Sequence, residues 1–287
     1  MVLILVACAH AADPDLVLRK RVSEVRLTLV ATDNNGRPWE GLSPSSLAVA
    51  DQGSAVSDFQ LRSANDLPLQ VGIVLDLSDS TRKSWPAVRA LLIDSMQGLV
   101  RPGDQILMIT FNTRIETERV LARPEELGET FSSSGGGLTA LYDALYRICQ
   151  HPLFSRDLEP RRSAIILFSD GEDNLSYRDL GETIASAQRG GIAIYTITAH
   201  RPNQWRRGDG VLQKIAGATG GRAFVINDFD DLQAALQSIQ TELRNSYLLF
   251  YRPPREETAG HFHEVEVLPA RNAGLHLRTR AGYFTTP

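Results

Sequence analysis

The chain has 287 residues and a net charge of −4, with 30 Lys and Arg interspersed among 34 Asp and Glu. That length can bury a large core, as one big domain or two small ones. The lack of a basic run or face excludes nucleic acid as the main partner, and the ordinary apolar content excludes wholesale disorder.

The first twelve residues, MVLILVACAHAA, read as an export signal. Val2–Ala7 is a short apolar core, and Ala9-His10-Ala11 has the small-x-small spacing of a cleavage site. Leu5-Val6-Ala7-Cys8 also resembles a bacterial lipobox, in which Cys8 would carry a lipid anchor. A basic n-region is missing, and a first β-strand is the competing reading. Export to the periplasm, the cell surface or the medium is the expectation, with membrane contact only through Cys8. No other segment approaches the roughly 20 apolar residues that span a bilayer. Once the signal is removed Cys149 is the remaining cysteine, so no intramolecular disulfide is expected.

Residues 13–66 carry β character alone. Val22–Ala31 alternates as a half-exposed strand, and Leu47–Ala50 and Val56–Leu61 flank a turn at Asp51-Gln52-Gly53. From residue 67 to 245 strands alternate with helices. A continuous apolar run, Val71–Leu75, reads as a strand buried on both faces. Helical spacing follows over Trp85–Val100, then strand Gln105–Phe111, edge strand Arg114–Arg123 and a short helix over Pro124–Phe131. A Ser/Gly loop leads into helix Thr139–Gln150. Next come strand Ala164–Phe168, helix Ser176–Arg189, strand Ile192–Thr198, helix Val211–Ala218, strand Ala223–Ile226 and helix Asp230–Arg244. Such alternation builds βαβ units around a mainly parallel sheet. From 246 to 287 strands return at Tyr247–Tyr251, His263–Leu268 and Leu275–Arg280. Neither terminal piece has enough strands to be stable alone. The expected architecture is an α/β domain inserted in a small β-sandwich that residues 13–66 and 246–287 build together.

Ligands of open α/β sheets bind outside the carboxyl ends of the strands. Three segments belong at that edge: Asp76-x-Ser78-x-Ser80, Gly136-Gly137-Leu138-Thr139 and Ser169-Asp170-Gly171. Asp76, Ser78, Ser80, Thr139 and Asp170 offer oxygen alone, the donor set of a hard cation such as Mg²⁺, with Ca²⁺ and Mn²⁺ as alternatives. Thr139, at a helix start, can also serve as a cap.

D-x-S-x-S, then Thr within Gly-Gly-Leu-Thr-Ala-Leu-Tyr-Asp-Ala-Leu (136–145), then Phe-Ser-Asp-Gly (168–171), resembles a von Willebrand factor A domain. The five positions resemble its metal-ion-dependent adhesion site. Gly41-Leu42-Ser43 to Gly53, Tyr247-Leu248-Leu249, Arg278-Thr279-Arg280 and Gly282-Tyr283-Phe284 resemble the flanks of a bacterial von Willebrand-related family abundant in acidobacteria. The resemblance implies a Rossmann-like fold, usually Mg²⁺, and adhesion rather than catalysis. Asp79 stands where that family usually has Gly, and Thr81 where Met is common. A second acid beside the ion would lower its residual charge or favour Ca²⁺.

A divalent ion with few carboxylate ligands keeps net positive charge and an exchangeable water, which an Asp or Glu of a protein partner can displace. The alternative is a scaffold whose ion is purely structural, with recognition through the sandwich or loops. Ser80-Thr81-Arg82-Lys83 matches the S-x-x-K nucleophile signature, but neither Lys-Thr-Gly nor Ser-Asp-Asn follows, and no enzyme is expected. Arg207-Gly208-Asp209 spells a tripeptide that integrins read, at a frequency chance explains. His261 and His263 alternate on a strand without an evident third metal ligand. Asp143 suits the positive end of its helix.

Overall fold

The computed structural model describes residues 24–81, 85–128, 136–154, 161–200, 206–254, 259–270 and 274–285. The expected signal at 1–12, with Cys8, lies outside them, as do Arg82 and Lys83 of the S-x-x-K match.

The central sheet is built from β5 (Leu69–Asp76), β6 (Gln105–Phe111), β7 (Ile115–Leu121), β8 (Arg162–Phe168), β9 (Ile192–Ala199) and β10 (Ala223–Ile226). Its order is β10-β9-β8-β5-β6-β7, all parallel except the edge strand β7. Every residue of β5 is buried, which accounts for its unbroken apolar run. The chain leaves β5 toward β6 on one side and returns as β8 on the other. The strand order therefore reverses between β5 and β8, where a binding crevice forms at the carboxyl ends.

Among the described residues five α-helices cover the sheet. On one face α1 (Trp85–Leu99) and α5 (Phe229–Arg244) pack Leu92, Met96, Leu236 and Ile239 onto Val71, Ile73 and Leu75. On the other, α2 (Leu141–Cys149), α3 (Leu180–Gly190) and α4 (Arg207–Thr219) pack Leu145, Ile148, Ala187 and Ile215 onto Val74, Ile165 and Leu167. The residues recur at helical spacing, so each helix buries one stripe.

Two four-stranded sheets mix the ends of the chain. The first runs β13 (His276–Arg278), β1 (Val25–Thr32), β11 (Ser246–Tyr251), β4 (Phe59–Ser63). The second runs β14 (Gly282–Phe284), β12 (Phe262–Pro269), β2 (Leu47–Asp51), β3 (Ser54–Ala55). Leu27 and Leu29 stand opposite Leu249 and Tyr247 across the β1–β11 ladder, and Val49 opposite Val267 across β2–β12. Inward residues of both sheets share one apolar core.

Inside that core lies a polar cluster. The Asp51 carboxylate accepts from the hydroxyls of Tyr251 at 2.9 Å and Tyr283 at 2.8 Å, and lies 2.9 Å from His263 Nδ1. His263 is thus spent inside the sandwich, while His261 is exposed. Burial, then the charge of Asp51 and its hydrogen bonds, hold both phenols above their ordinary range, so they remain donors.

Arginines serve the helix ends that face away from the crevice. Arg244 donates to Leu99 O at the end of α1, Arg280 to Gln188 O near the end of α3, Arg278 to the α4 cap carbonyl of Gly220, and Arg162 to Leu243 O in the last turn of α5. Each places positive charge where the aligned peptide dipoles leave negative charge.

Some elements start elsewhere than expected. α2 begins at Leu141, with Ala140 at its cap position and no side-chain cap bond, so Thr139 does not cap it. α3 begins at Leu180 rather than near Ser176, because Asp179 and Glu182 close a reciprocal capping box. That D-x-x-E spacing was visible in the sequence. Strands β3 and β14, of two and three residues, were not expected.

Candidate metal centre

Asp76 ends β5, and its fully buried side chain shapes the loop that follows. Oδ1 accepts from Ser78 N–H at 2.9 Å, and Oδ2 from Ser169 Oγ–H at 2.7 Å, which joins the β5 and β8 loops. Thr81 closes the first loop by donating its hydroxyl to the Asp76 carbonyl at 2.6 Å and the Ser78 carbonyl at 3.1 Å. Ser78 is buried, Ser80 is exposed, and their hydroxyl oxygens lie 3.2 Å apart. Neighbouring ligands on an octahedron with bonds of about 2.1 Å stand about 3 Å apart, close to that spacing.

The second segment joins the first through Asp79, whose Oδ2 accepts from Gly137 N–H at 3.1 Å. Asp79 therefore braces the glycine loop, a role that its departure from the family's Gly did not suggest. The second and third segments are bound more densely. The Thr139 carbonyl accepts from Asn174 N–H at 2.9 Å and Leu175 N–H at 3.1 Å. Asp173 accepts from Tyr142 N–H at 3.2 Å and from the Ser176 hydroxyl at 2.6 Å. Asp143 accepts from Tyr177 N–H at 3.0 Å and Arg178 N–H at 2.9 Å. Asp143 does sit in the first turn of α2, but its carboxylate is spent on the facing loop.

Three loops from distant parts of the chain thus meet at the sheet's reversal point. Thr139 is buried there and Asp170 is half-buried. Burial pushes the Asp76 carboxyl up to about 6, against the pull of the Ser78 and Ser169 bonds, and the charge of Asp170 adds to the rise. An acid so placed is relieved by a cation. The donors fit a hard divalent ion: two carboxylates and three hydroxyls, with no nitrogen or sulfur among them. Among the described residues no three His, Cys, Asp or Glu gather as a metal-binding group. A cavity of about 40 Å³ opens beside Ser80 and Asp170, with room for water.

The Arg207-Gly208-Asp209 tripeptide is closed to a receptor. Asp209 is buried at the start of α4, 2.8 Å from His200 Nε2, and accepts from Arg206 N–H at 2.8 Å. Gly208 lies against the Asp170 carbonyl, so the motif serves the crevice wall.

No family model matches the chain, and no curated protein matches it. Solved structures do. Proximal thread matrix protein 1 from the mussel byssus is 16% identical and aligns with a TM-score of 0.50 over 76% of this chain and 50% of its own. The fold is of the von Willebrand A type. At this identity the likeness concerns the fold alone, and the chain spans half the length of the byssus structures it matches. A von Willebrand factor type A protein from Catenulispora acidiphila is 13% identical, with a TM-score of 0.49 over 95% of this chain and 76% of its own. The byssus protein is also known with a zinc-occupied MIDAS motif, at 16% identity and a TM-score of 0.48 over 64% of this chain and 50% of its own.

Proposed function

We propose that this von Willebrand A-type protein is a metal-dependent binding module. A divalent cation, Mg²⁺ by donor chemistry, would be held by Asp76, Ser78, Ser80, Thr139 and Asp170. The observation that carries the reading is the hydrogen-bonded meeting of three loops around a buried Asp76. When bound, the ion supplies residual positive charge and an exchangeable ligand position, and the group that fits both is an Asp or Glu carboxylate of a protein partner. The chain's own part is to hold the oxygens rigid. Asp76 orients the β5 loop, Thr81 closes it, and Asp79, Asp143 and Asp173 fix the neighbouring loops.

Binding rather than catalysis is supported by the state of Ser80, whose hydroxyl neighbours the Ser78 hydroxyl in an all-oxygen site. The zinc-occupied MIDAS motif of the byssus protein is consistent with a divalent ion in such a site. Among the described residues no helix is long and apolar enough to cross a membrane. Action outside the cytoplasm, after export through residues 1–12, belongs to the same proposal.

The test is calorimetric titration of Mg²⁺ into the full chain, and then of an immobilised acid-bearing peptide library with and without EDTA. Metal uptake with peptide capture that both EDTA and Asp76→Ala abolish supports the reading. Capture indifferent to both would assign the ion a structural role.

A further inference from the structure

A second cavity, of about 30 Å³, lies at the other end of the central sheet from the metal centre. One side of it is built from the amino-terminal parts of β8 and β9, through Arg162 and Ala193. The other side is the outer face of the first sandwich sheet. Side chains alternate along a strand, so with Leu27, Leu29 and Leu249 turned into the sandwich core, Thr28 and Val30 face the cavity. Ser246 stands opposite Val30 across the β1–β11 ladder and shares its face.

The wall carries positive charge. Arg162 and Arg280 both line the cavity and are only 2% and 5% exposed. Arg162 donates to the carbonyls of Asn65, Leu67 and Leu243, and no carboxylate among the described residues forms an ion pair with it. Arg280 donates to the carbonyls of Gln188 and Arg26. Carbonyls satisfy N–H groups but leave a full charge unbalanced. Burial, and then the charge of Arg244, pull the Arg162 guanidinium down to about 10. Glu242, an acid on the same wall, is already shared between Arg278 and Arg222, the latter at 3.2 Å.

The second observation is an orphan. Ser246 is 3% exposed, and its hydroxyl has no hydrogen-bond partner among the described residues. A buried hydroxyl left without a partner points to an occupant. Water would take the hydroxyl's bond and leave the arginines unbalanced, whereas an anion answers both. The volume admits one or two bodies the size of water, which excludes sulfate and phosphate.

We propose that this cavity binds one halide ion, chloride in ordinary media, between Arg162, Arg280 and the Ser246 hydroxyl. Ser246 opens β11 two residues after α5 ends, so the ion would sit where the chain passes from the α/β layers into the sandwich. It would fasten one to the other. The site is independent of the metal centre.

The experiment melts the full chain in EDTA, which silences the metal centre, at fixed ionic strength in sodium chloride, bromide or gluconate. Gluconate is too large to enter. In chloride and in bromide the melting temperature is expected to rise by about 2–4 °C and to saturate. Ser246→Ala keeps the space and removes the donor, so saturation should need about tenfold more halide. Ser246→Val fills the space and should abolish the halide response. Each variant is compared with itself across the salts, and the Ser246→Val series subtracts general salt effects. Crystals grown in bromide should show its anomalous scattering between Arg162 and Ser246. Equal melting of the wild type in chloride and gluconate overturns the proposal. So does a halide response that Ser246→Val leaves intact, or bromide found at the surface alone with water in the cavity.

Discussion

Gly171 and Gly208 lie backbone against backbone beneath the metal centre. A Cβ on Gly171 would come 2.3 Å from the Gly208 carbonyl oxygen, and one on Gly208 would come 2.0 Å from that of Asp170. Gly171 also has a φ of +79°, which L side chains rarely adopt. The start of α4 can approach the Asp170 loop only because both residues lack a side chain. Gly208→Ala is therefore expected to lower stability by about 2 kcal/mol or more and to displace Asp170. Thermal unfolding and Mg²⁺ titration of the same variant check both effects.

Asp76 is the buried acid on which the first loop turns. In the wild type, Mg²⁺ at about one hundred times its dissociation constant should add about 2.7 kcal/mol of stability, by mass action. Asp76→Ala should abolish that gain. A melting-temperature rise in Mg²⁺ that persisted in the variant would place the ion elsewhere.

Asp143 lies on α2 but stabilises the loop before α3. Its two accepted bonds, from the N–H groups of Tyr177 and Arg178, are exposed, so Asp143→Ala should cost only about 1 kcal/mol globally. The local effect should be larger. Amide hydrogen exchange at Tyr177 and Arg178 is expected to accelerate well beyond that of the sheet.

The Asp51 cluster makes the opposite prediction. Removing its carboxylate takes the shared acceptor from two buried hydroxyls and leaves His263 Nδ1 its 3.2 Å contact with the Tyr283 hydroxyl, so Asp51→Ala should cost about 3 kcal/mol in denaturant unfolding. Variants that still fold should take up Mg²⁺ as the wild type does, because this cluster belongs to the sandwich.

Cys149 is buried, and burial pushes its thiol up to about 12. Its native thiolate is scarce, so reaction with a disulfide reagent at pH 8 should be slow until denaturant is added. Below about pH 9 both states keep the proton and the thiol adds nothing to the pH dependence. Above it the unfolded chain loses the proton first, so stability should fall with rising pH. Cys149→Ala should remove that component.

The sequence by itself determined the α/β alternation and most strand positions in the central sheet, and it placed an oxygen-bearing set of side chains at the sheet's edge. The reason is local: burial on both faces demands continuous apolar runs. Helix starts were less legible, because whether Thr139 or Ala140 stands at a cap depends on what the facing loop offers. Only the tertiary structure decided the uses of acids that look alike in the sequence. Asp79 went to Gly137, Asp143 to Tyr177 and Arg178, Asp209 to His200, and Asp51 to two tyrosines 200 or more residues away. It likewise decided which arginine meets which helix end. Most contacts of that kind join residues far apart in the chain, so no periodicity records them, and a side chain's partner is chosen by packing rather than by its neighbours in sequence.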